Sequence, residues 1–516
     1  MKTPMTITHG HHVREMSRPA LRALAGHGDP GKFGRMFPEL DPLHADDDAL
    51  FTLAEAMRDE DGNSGDNPNI PAGFTYFGQF VDHDITLDTT PLRDQKNDPL
   101  ATVNFRTPTL DLDSLYGQGP GISPHLYQRD PDRGFAPSAK LLIGRSDAST
   151  DFNGGTVPAL DTDLPRNRVG RALIGDERND ENLAVAQTHL AMLKFHNRVV
   201  DHLRSTRPDL TGGALFEEAR RITTWHYQWI VLFDFVERLT EPGLVNQIKQ
   251  QGRRFYRFKT TPYMPVEFAA AAYRLGHSMV REIYGFNRFF HPGAIPASLD
   301  LLFNFTGKSG TILGDLSDQT SGGLPGLPSN WTIDWRRFYD FETPEEPGFE
   351  LNASRKLDAR IVPALHTLPG LQGREANLAF RNLKRGVLLE LPAGQDIARA
   401  IGVTPLSASD IAAGSDGQAA RDAGLADRTP LWFYILKEAE VHHQGQRLGP
   451  VGSTIVAEVF LGIVHGDQKS FLWQHANWAP SLPSAAPGHF TMVDLLNFVG
   501  DLNPVGSVET TAPEPA

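Results

Sequence analysis

The stretch FGQFVDHDITLD, residues 77–88, places an acid, an imidazole and a second acid side by side at Asp82, His83 and Asp84. If the stretch is helical, Gln79 lies one turn before Asp82 and His83, and these three side chains share one face. Adjacent helical side chains diverge by about 100°, so Asp84 points toward a different partner. The spacing therefore predicts a helix that serves two sites, although a plain polar helix surface has the same pattern.

A second stretch, RTPTLDLDSLYG at residues 106–117, alternates side chains that carry oxygen atoms. These are the side chains of Thr107, Thr109, Asp111 and Asp113. In an extended or turning segment they lie on one side, and the backbone adds carbonyl oxygens. Ca²⁺ takes six to eight oxygen ligands, so the loop together with Asp84 is typical of a calcium site. A turn rich in Asx residues that binds no ion is the alternative.

Three further motifs are weak when taken singly. GDERNDENL places Arg178 and Glu181 three apart at the start of a helical pattern, where acids also compensate the helix dipole. LAFRNLKRG again places Asn382 and Arg385 three apart. YRLGH places His277 next to a glycine, which lets a flat group approach the backbone, although a lone histidine is more often a core residue.

Long helical patterns dominate the segments that must position these residues. Apolar residues recur at helical spacing over 181–203, 214–239 and 266–285, the last with Pro265 near its start and Gly285 at its end. Strand signals are short, and the 38 prolines and 48 glycines fall mainly between the helical segments. The sequence predicts a mainly α fold with long ordered loops and few short strands.

Composition narrows the function. The 516 residues carry a net charge of −14, which argues against a partner that is nucleic acid or an anionic membrane. Cysteine is absent, so disulfides, thiolate nucleophiles and cysteine-bound metals are excluded. No apolar run is long enough for a membrane span. The first residues lack the hydrophobic region of a signal peptide, so we expect a cytoplasmic protein, or one exported without a cleavable signal.

Taken in order, these motifs resemble the animal-type haem peroxidases, the peroxidase–cyclooxygenase superfamily, in its compact bacterial branch. The resemblance spans residues 60–480 and rests on QFVDHD, then TPTLDLDSLYG, RNDE ahead of FHNR, YRLGH and RNLKRG followed by LP. It implies a helical core around a buried haem. The expected organisation is a polar arm over 1–30, the haem peroxidase domain over 31–504 and a disordered tail over 505–516.

On this resemblance, His83 is the distal histidine above the haem iron, and Gln79 and Arg178 act beside it. Asp82 and Glu181 are the acids that form esters with haem b. Asn182 stands where some members have a methionine linked to the haem, so that third link is expected to be absent.

The resemblance also assigns the other side of the haem and the cation. His277 is the axial iron ligand, and Asn382 is the partner that accepts its ring N–H. Arg274 and Arg385 bind the haem propionates. The calcium ligands are Asp84, Thr107, Thr109, Asp111 and Asp113; the last replaces a serine of the mammalian members.

The implied function is a monomeric peroxidase that reduces H₂O₂ and oxidises halide, thiocyanate or a small organic donor through an oxoferryl state. The closest rival is a fatty-acid dioxygenase of the same superfamily, which uses a tyrosyl radical three residues before the axial histidine. Arg274 occupies that position here, and Tyr273 is expected to point elsewhere. The other rival is a non-catalytic calcium-binding or adhesion module built on a peroxidase scaffold.

Overall fold

The computed structural model describes residues 33–507 except 63, 88–103, 105, 132–133, 152–153, 260, 305, 307–325, 343, 345, 347–348 and 369. Helices dominate it, which confirms the mainly α prediction. In chain order the α-helices are Asp47–Ala56 (α1), Gly73–Ile85 (α2), Asp113–Tyr116 (α3), Leu183–Thr206 (α4), Gly212–Ile230 (α5), Glu237–Leu239 (α6), Leu244–Gln251 (α7), Val266–Ala269 (α8), Leu299–Asn304 (α9), Leu378–Leu388 (α10), Gly394–Ile401 (α11), Ala408–Ile411 (α12), Gly414–Asp422 (α13), Leu431–His443 (α14), Pro450–Gly466 (α15), Phe471–Gln474 (α16) and Met492–Val499 (α17). Two 3₁₀ segments, Glu177–Asp180 and Ala272–His277, carry candidate site residues.

The strands are short and form two-stranded ladders, each of which ties together segments that are otherwise loops. Four ladders are antiparallel and one is parallel. The pairs are Phe33–Gly34 with Met264–Pro265 (parallel), Asp66–Pro71 with Ala353–Arg355, Tyr127–Asp130 with Ala136–Leu141, Ser149–Thr150 with Thr156–Val157, and Ile283–Tyr284 with Ala297–Ser298.

Helix α2 carries the opening motif, and glycine lets it pack closely against its neighbours. A Cβ on Gly73 would lie 2.5 Å from the carbonyl oxygen of Phe338, and one on Gly78 would lie 2.8 Å from the ring of Phe235. Real side chains do not tolerate such distances, so the helix takes this position only with glycine at both places. The predicted helix is confirmed over residues 77–85 of the motif.

Helices α4 and α5 confirm two of the predicted long helices, with one irregularity. Asn182 caps α4, because its side chain accepts a hydrogen bond from the backbone N–H of Val185. After α5 the chain continues as a π-helical segment, Val231–Val236, and then as α6. A π-turn holds an extra residue and is often found near functional sites. Here it places Phe235 against α2.

The prediction of one helix over 266–285 is wrong. Helix α8 begins after Pro265 as expected, but it ends at Ala269, and Ala271 (φ −135°, ψ −73°) leaves the helical region. The break lets the ring of Tyr273 stack on that of Phe268, with ring centroids 4.8 Å apart. Residues five apart are not neighbours on a continuous α-helix, so tertiary packing of the two rings overrides the local helical pattern.

The expected arm over 1–30 lies outside the described residues, as does most of the expected tail, from 508 onward. Among the residues that are described, no helix is both long enough and apolar enough to cross a membrane.

Candidate active site

A cavity of about 640 Å³ lies between α2, the start of α4 and the 3₁₀ segment at 272–277. This is the volume of a site for a cofactor or a drug-sized ligand. The polar residues that line it include Gln79, Asp82, His83, Glu181, Arg274 and His277. The sequence thus correctly predicts that Gln79, Asp82 and His83 share one face of a helix, and the structure brings that face to the other motifs.

Gln79 connects α2 to the start of α4 at the cavity surface. Its side-chain N–H donates to Oε1 of Glu181 over 2.6 Å, and its oxygen accepts a hydrogen bond of 2.8 Å from Nδ2 of Asn182. Asn182 is also the cap of α4, so one residue fixes both the helix start and the glutamine. The carboxylate of Glu181 therefore lies at the cavity surface in a defined orientation.

The two ring nitrogens of His83 face different surroundings. Nδ1 lies 2.8 Å from Oδ1 of Asn179, a residue that is fully buried behind the cavity wall. Nε2 lies 3.6 Å from Oε1 of Glu181, which is a cavity residue. The nitrogen that is directed toward the cavity is therefore Nε2, and the histidine itself is only 4% exposed.

Arg178 lies beside this histidine but is held by backbone and acid partners. Its Nη2 donates to the carbonyl oxygens of His83 (2.9 Å) and Thr86 (2.7 Å), and Nε and Nη2 also bind Asp176. Burial by itself would raise the pKa of Asp176, but the charges of Arg178 and Arg106 hold it well below its usual range. Nη1 of Arg178 donates to no protein atom in the described part of the chain.

His277 contributes the imidazole of the 3₁₀ segment. Nδ2 of Asn382, on α10, lies 2.7 Å from its Nδ1. Burial, reinforced by the charge of Arg274, lowers the pKa of His277 to about 3, so the ring is neutral at physiological pH. A Cβ on the neighbouring Gly276 would meet no heavy atom within 4 Å. The backbone beside the histidine is therefore open to a ligand in the cavity.

Comparison with known families matches residues 89–306 to the model of the animal haem peroxidase family. Heme peroxidase 2 from Caenorhabditis elegans is 21% identical over 467 residues, which cover 81% of this chain and 61% of that protein. Thyroid peroxidase from Mus musculus is 26% identical over 188 residues, 36% of this chain and 20% of that protein. The chain thus spans less than two thirds of the length of these curated relatives.

Two solved structures share the fold over most of the chain. Peroxidase A from Dictyostelium discoideum superposes with a TM-score of 0.58 at 16% identity, covering 93% of this chain and 94% of that one. The fatty acid α-dioxygenase of Oryza sativa gives a TM-score of 0.56 at 17% identity, covering 85% and 75%. Residues 89–306 thus match the animal haem peroxidase family, and the chain as a whole shares its fold with these solved structures.

The residues of this cavity fit haem, the cofactor that the similarity to animal haem peroxidases implies. A neutral imidazole at His277 offers a nitrogen ligand, and the open backbone at Gly276 leaves room for a flat group. The carboxylates of Asp82 and Glu181 both border the same space. The side-chain amide of Asn382 lies within hydrogen-bond distance of Nδ1 of His277 and so fixes the ring, which leaves Nε2 as the nitrogen that would bind the iron.

Asp84 turns away from the cavity, as its position beside His83 predicts. It is fully buried, and carboxylate oxygens of Asp84, Asp111 and Asp113 lie within 4.8 Å of one another. The hydroxyls of Thr107 and Thr109 lie 3.0 Å apart in the same loop. Three acids at such distances suit a hard cation with oxygen ligands.

Arg106 is a charged partner of this acid cluster that the sequence reasoning missed. It is 3% exposed and pairs with Asp113 through one guanidinium nitrogen and with Asp176 through another. Since Asp176 also holds Arg178, a chain of salt bridges joins Asp113 of this acid cluster to the cavity wall behind His83. Arg106 opens the RTPTLDLDSLYG motif, but nothing in its spacing signals that connection.

Two expected arginines differ in their positions. Arg274 borders the cavity of this haem peroxidase homologue and donates from Nε to the carbonyl oxygen of Ala269. Arg385 lies half-buried on α10, one turn after Asn382, and is not among the cavity residues. Arg381, one turn earlier on the same helix, does border the cavity and was missed, although its spacing from Arg385 places both on one face.

The expectation that Tyr273 points elsewhere is wrong. Its ring forms part of the cavity wall, because the break after α8 turns this residue inward. The hydroxyl donates to the backbone carbonyl of Gly78 over 3.0 Å. The tyrosine is therefore tied to α2 and not presented as a free phenol.

Proposed function

We propose that the chain is a haem-dependent peroxidase that reduces H₂O₂ and oxidises halide, thiocyanate or a small organic donor. The observation that carries the proposal is one cavity bordered by two histidines from different elements, His83 of α2 and His277 of the 3₁₀ segment, together with two carboxylates. One histidine can hold the iron while the other remains free to handle protons. The similarity of residues 89–306 to the animal haem peroxidase family supports the same proposal.

When bound, haem supplies the iron that binds peroxide and the oxidising equivalents that act on the donor. The chain would hold it through His277, with Asn382 fixing the ring and Arg274 available to a propionate. Asp82 and Glu181 border the cavity, and we propose that their carboxylates form ester bonds with the haem. Gln79 keeps the Glu181 carboxylate oriented toward the cavity.

The proton chemistry belongs to His83. Its Nε2 takes a proton from H₂O₂ and returns it to the departing oxygen. The same nitrogen thus acts first as a general base and then as a general acid. Arg178 keeps the C-terminal end of α2 in place through hydrogen bonds to the carbonyl oxygens of His83 and Thr86. Its positive charge also favours the negative charge that develops as the O–O bond breaks.

The test is to purify the full chain, add haem if needed, and record the absorption spectrum and the oxidation of a chromogenic donor with H₂O₂. A Soret band and peroxide-dependent turnover support the proposal. A protein that binds Ca²⁺ but shows no Soret band after haem addition would instead be the non-catalytic module.

A fatty-acid dioxygenase is the second candidate. It is favoured by the apolar part of the cavity, formed by Leu365, Leu368, Leu371 and Leu378, with Arg381 available to a carboxylate. The structural likeness to the α-dioxygenase of Oryza sativa supports it at the level of the fold. Oxygen uptake with a fatty acid in the absence of H₂O₂ would favour this candidate, whereas no uptake together with turnover of peroxide would exclude it.

Replacing both proposed ester-forming acids, by Asp82→Val and Glu181→Gln, is expected to leave haem bound but fully extractable into acid–acetone. The reason is that the covalent bonds, and not the iron ligand, are lost. Wild-type protein treated with H₂O₂ is the control and should retain its haem. Complete extraction from the wild type after repeated peroxide treatment would show that no ester forms.

Removing Ca²⁺ with a chelator is expected to lower thermal stability and peroxidase activity together. Asp84 and His83 are adjacent, and unshielded Asp84, Asp111 and Asp113 would repel one another. Elemental analysis, thermal melting and donor oxidation check this, with Asp111→Asn as a variant that should weaken retention of the ion. An active, equally stable protein that contains no calcium would contradict the proposed site.

A further inference from the structure

Asn179 connects His83 to a second buried histidine that the proposed reaction does not yet use. Its Oδ1 lies 2.8 Å from Nδ1 of His83, and its Nδ2 lies 3.0 Å from Nδ1 of His189 on α4. Asn179 and His189 are both completely buried. The three side chains thus form a row that runs from the cavity wall into the core.

The amide of Asn179 assigns the protons in this row. An amide oxygen only accepts, so Nδ1 of His83 carries a proton and donates it to Oδ1. An amide nitrogen only donates, so Nδ1 of His189 accepts. The remaining proton of His189 is then on Nε2, which has no hydrogen-bond partner among the described residues.

His189 can act as this acceptor only while it is uncharged. Burial lowers its pKa to about 3, so it stays neutral throughout the physiological range. Its ring also packs against Phe80 of α2, with centroids 5.8 Å apart and planes at 76°. Because α2 also carries His83, the contact fixes His189 relative to the histidine at the other end of the row.

We propose that Asn179, oriented by His189, is a positioning residue that keeps His83 in the tautomer with its proton on Nδ1 and the lone pair of Nε2 directed into the cavity. The assignment of the tautomer stands on the hydrogen bonds alone. Its consequence for catalysis rests on the proposed peroxidase function, since only an unprotonated Nε2 can take a proton from H₂O₂.

The local structure keeps Asn179 from moving. It lies in the 3₁₀ segment at 177–180, whose first turn is capped by Asp176 through a hydrogen bond of 2.9 Å from the backbone N–H of Arg178. The same Asp176 pairs with Arg106. The segment that carries Asn179 is therefore held at its start by Asp176, and through Arg106 it is tied to Asp113.

The first test reads the tautomer directly, by ¹⁵N NMR of the histidine rings in the full chain, both as purified and after haem addition. The His83 signals are identified by their loss in His83→Gln. In the wild type we expect a protonated Nδ1 and an unprotonated Nε2. Asn179→Ala should move the proton toward Nε2, whereas Asn179→Asp should keep it on Nδ1, because a carboxylate accepts the same hydrogen bond.

Two further variants separate the row from general loss of stability. His189→Phe should give a mixture of His83 tautomers, since the amide loses the acceptor that sets its orientation. Asn197→Ala is the matched control, because Asn197 is a buried residue on α4 whose side-chain amide bonds, within the described part of the chain, only to the backbone of Leu141. It should lower thermal stability without changing the His83 tautomer.

The second test measures the rate constant for reaction with H₂O₂ by stopped flow. Asn179→Ala should be slower by about 10- to 100-fold, less than the roughly 10⁴-fold seen where a partner enforces the wrong tautomer of a catalytic histidine. Asn179→Asp should recover most of this loss. The rate of reduction by a small donor should not change in either variant.

The outcomes are distinguishable. A wild-type His83 with its proton on Nε2, or an unchanged tautomer in Asn179→Ala, overturns the inference. A wild-type tautomer in His189→Phe overturns the part assigned to His189, and a shifted tautomer with an unchanged peroxide rate overturns the catalytic consequence. A wild-type protein that does not react with H₂O₂ refutes the proposed function, while the NMR result still decides the tautomer.

Discussion

The variant His277→Ala is expected to fold but to retain no haem. His277 is the imidazole that borders the cavity beside the open backbone of Gly276, and Asn382 is bound to its other nitrogen. Removing the ring removes the only protein ligand proposed for the iron. Haem content by pyridine haemochrome assay and the Soret band measure the result, and circular dichroism checks the fold.

The matched control is His442→Ala. His442 is an exposed histidine in the last turn of α14, far in the chain from every residue that borders the cavity, so its loss should leave haem content unchanged. If His277→Ala bound haem with an unchanged spectrum, the axial ligand would have to be another residue. The roles proposed for His277 as the iron ligand and for His83 as the proton-transfer residue on the opposite side would then also be wrong.

The variant His83→Ala is expected to keep haem and to react with H₂O₂ more slowly by several orders of magnitude. General base catalysis typically contributes about 10²- to 10⁴-fold, and loss of a correctly placed group adds to this. The effect should appear in the peroxide-dependent step and not in reduction by a small donor. Stopped-flow spectroscopy resolves the two steps.

Arg178→Ala is the comparison variant for this experiment. It should cost less than the histidine, on the order of 10²-fold, as for the loss of one preorganised charge donor. Since Nη2 of Arg178 also supports the carbonyls of His83 and Thr86, the variant should in addition melt at a lower temperature. Wild-type speed in His83→Ala would show that His83 does not transfer the proton.

The parts of the site that follow from local geometry could be predicted from the sequence. The face shared by Gln79, Asp82 and His83, and the opposite direction of Asp84, depend only on helical spacing. The long helices α4 and α5 likewise follow from the apolar spacing of residues within a few turns. Such features need no knowledge of the rest of the fold.

The parts that depend on distant contacts could not be predicted. Arg178 was expected beside the distal histidine, but its attachment to Asp176, and through it to Arg106, involves segments about 70 residues apart. The inward turn of Tyr273 requires the stacking on Phe268 and contact with Phe460 of α15. The role of His189 is invisible in sequence because its neighbours read as an ordinary buried helix face.

The π-helical segment after α5 makes the number of residues there as important as their identity. Successive residues of an α-helix are rotated by about 100°, so one extra residue in a regular helix would rotate everything beyond it by that angle. The wide π-turn absorbs its extra residue and leaves the direction of the helix beyond it unchanged. Phe235 lies within this turn, where it forms part of the cavity wall and packs beside Gly78. Deleting one residue between Val231 and Val236 should therefore disturb the cavity wall at Phe235 while the helix beyond it keeps its place.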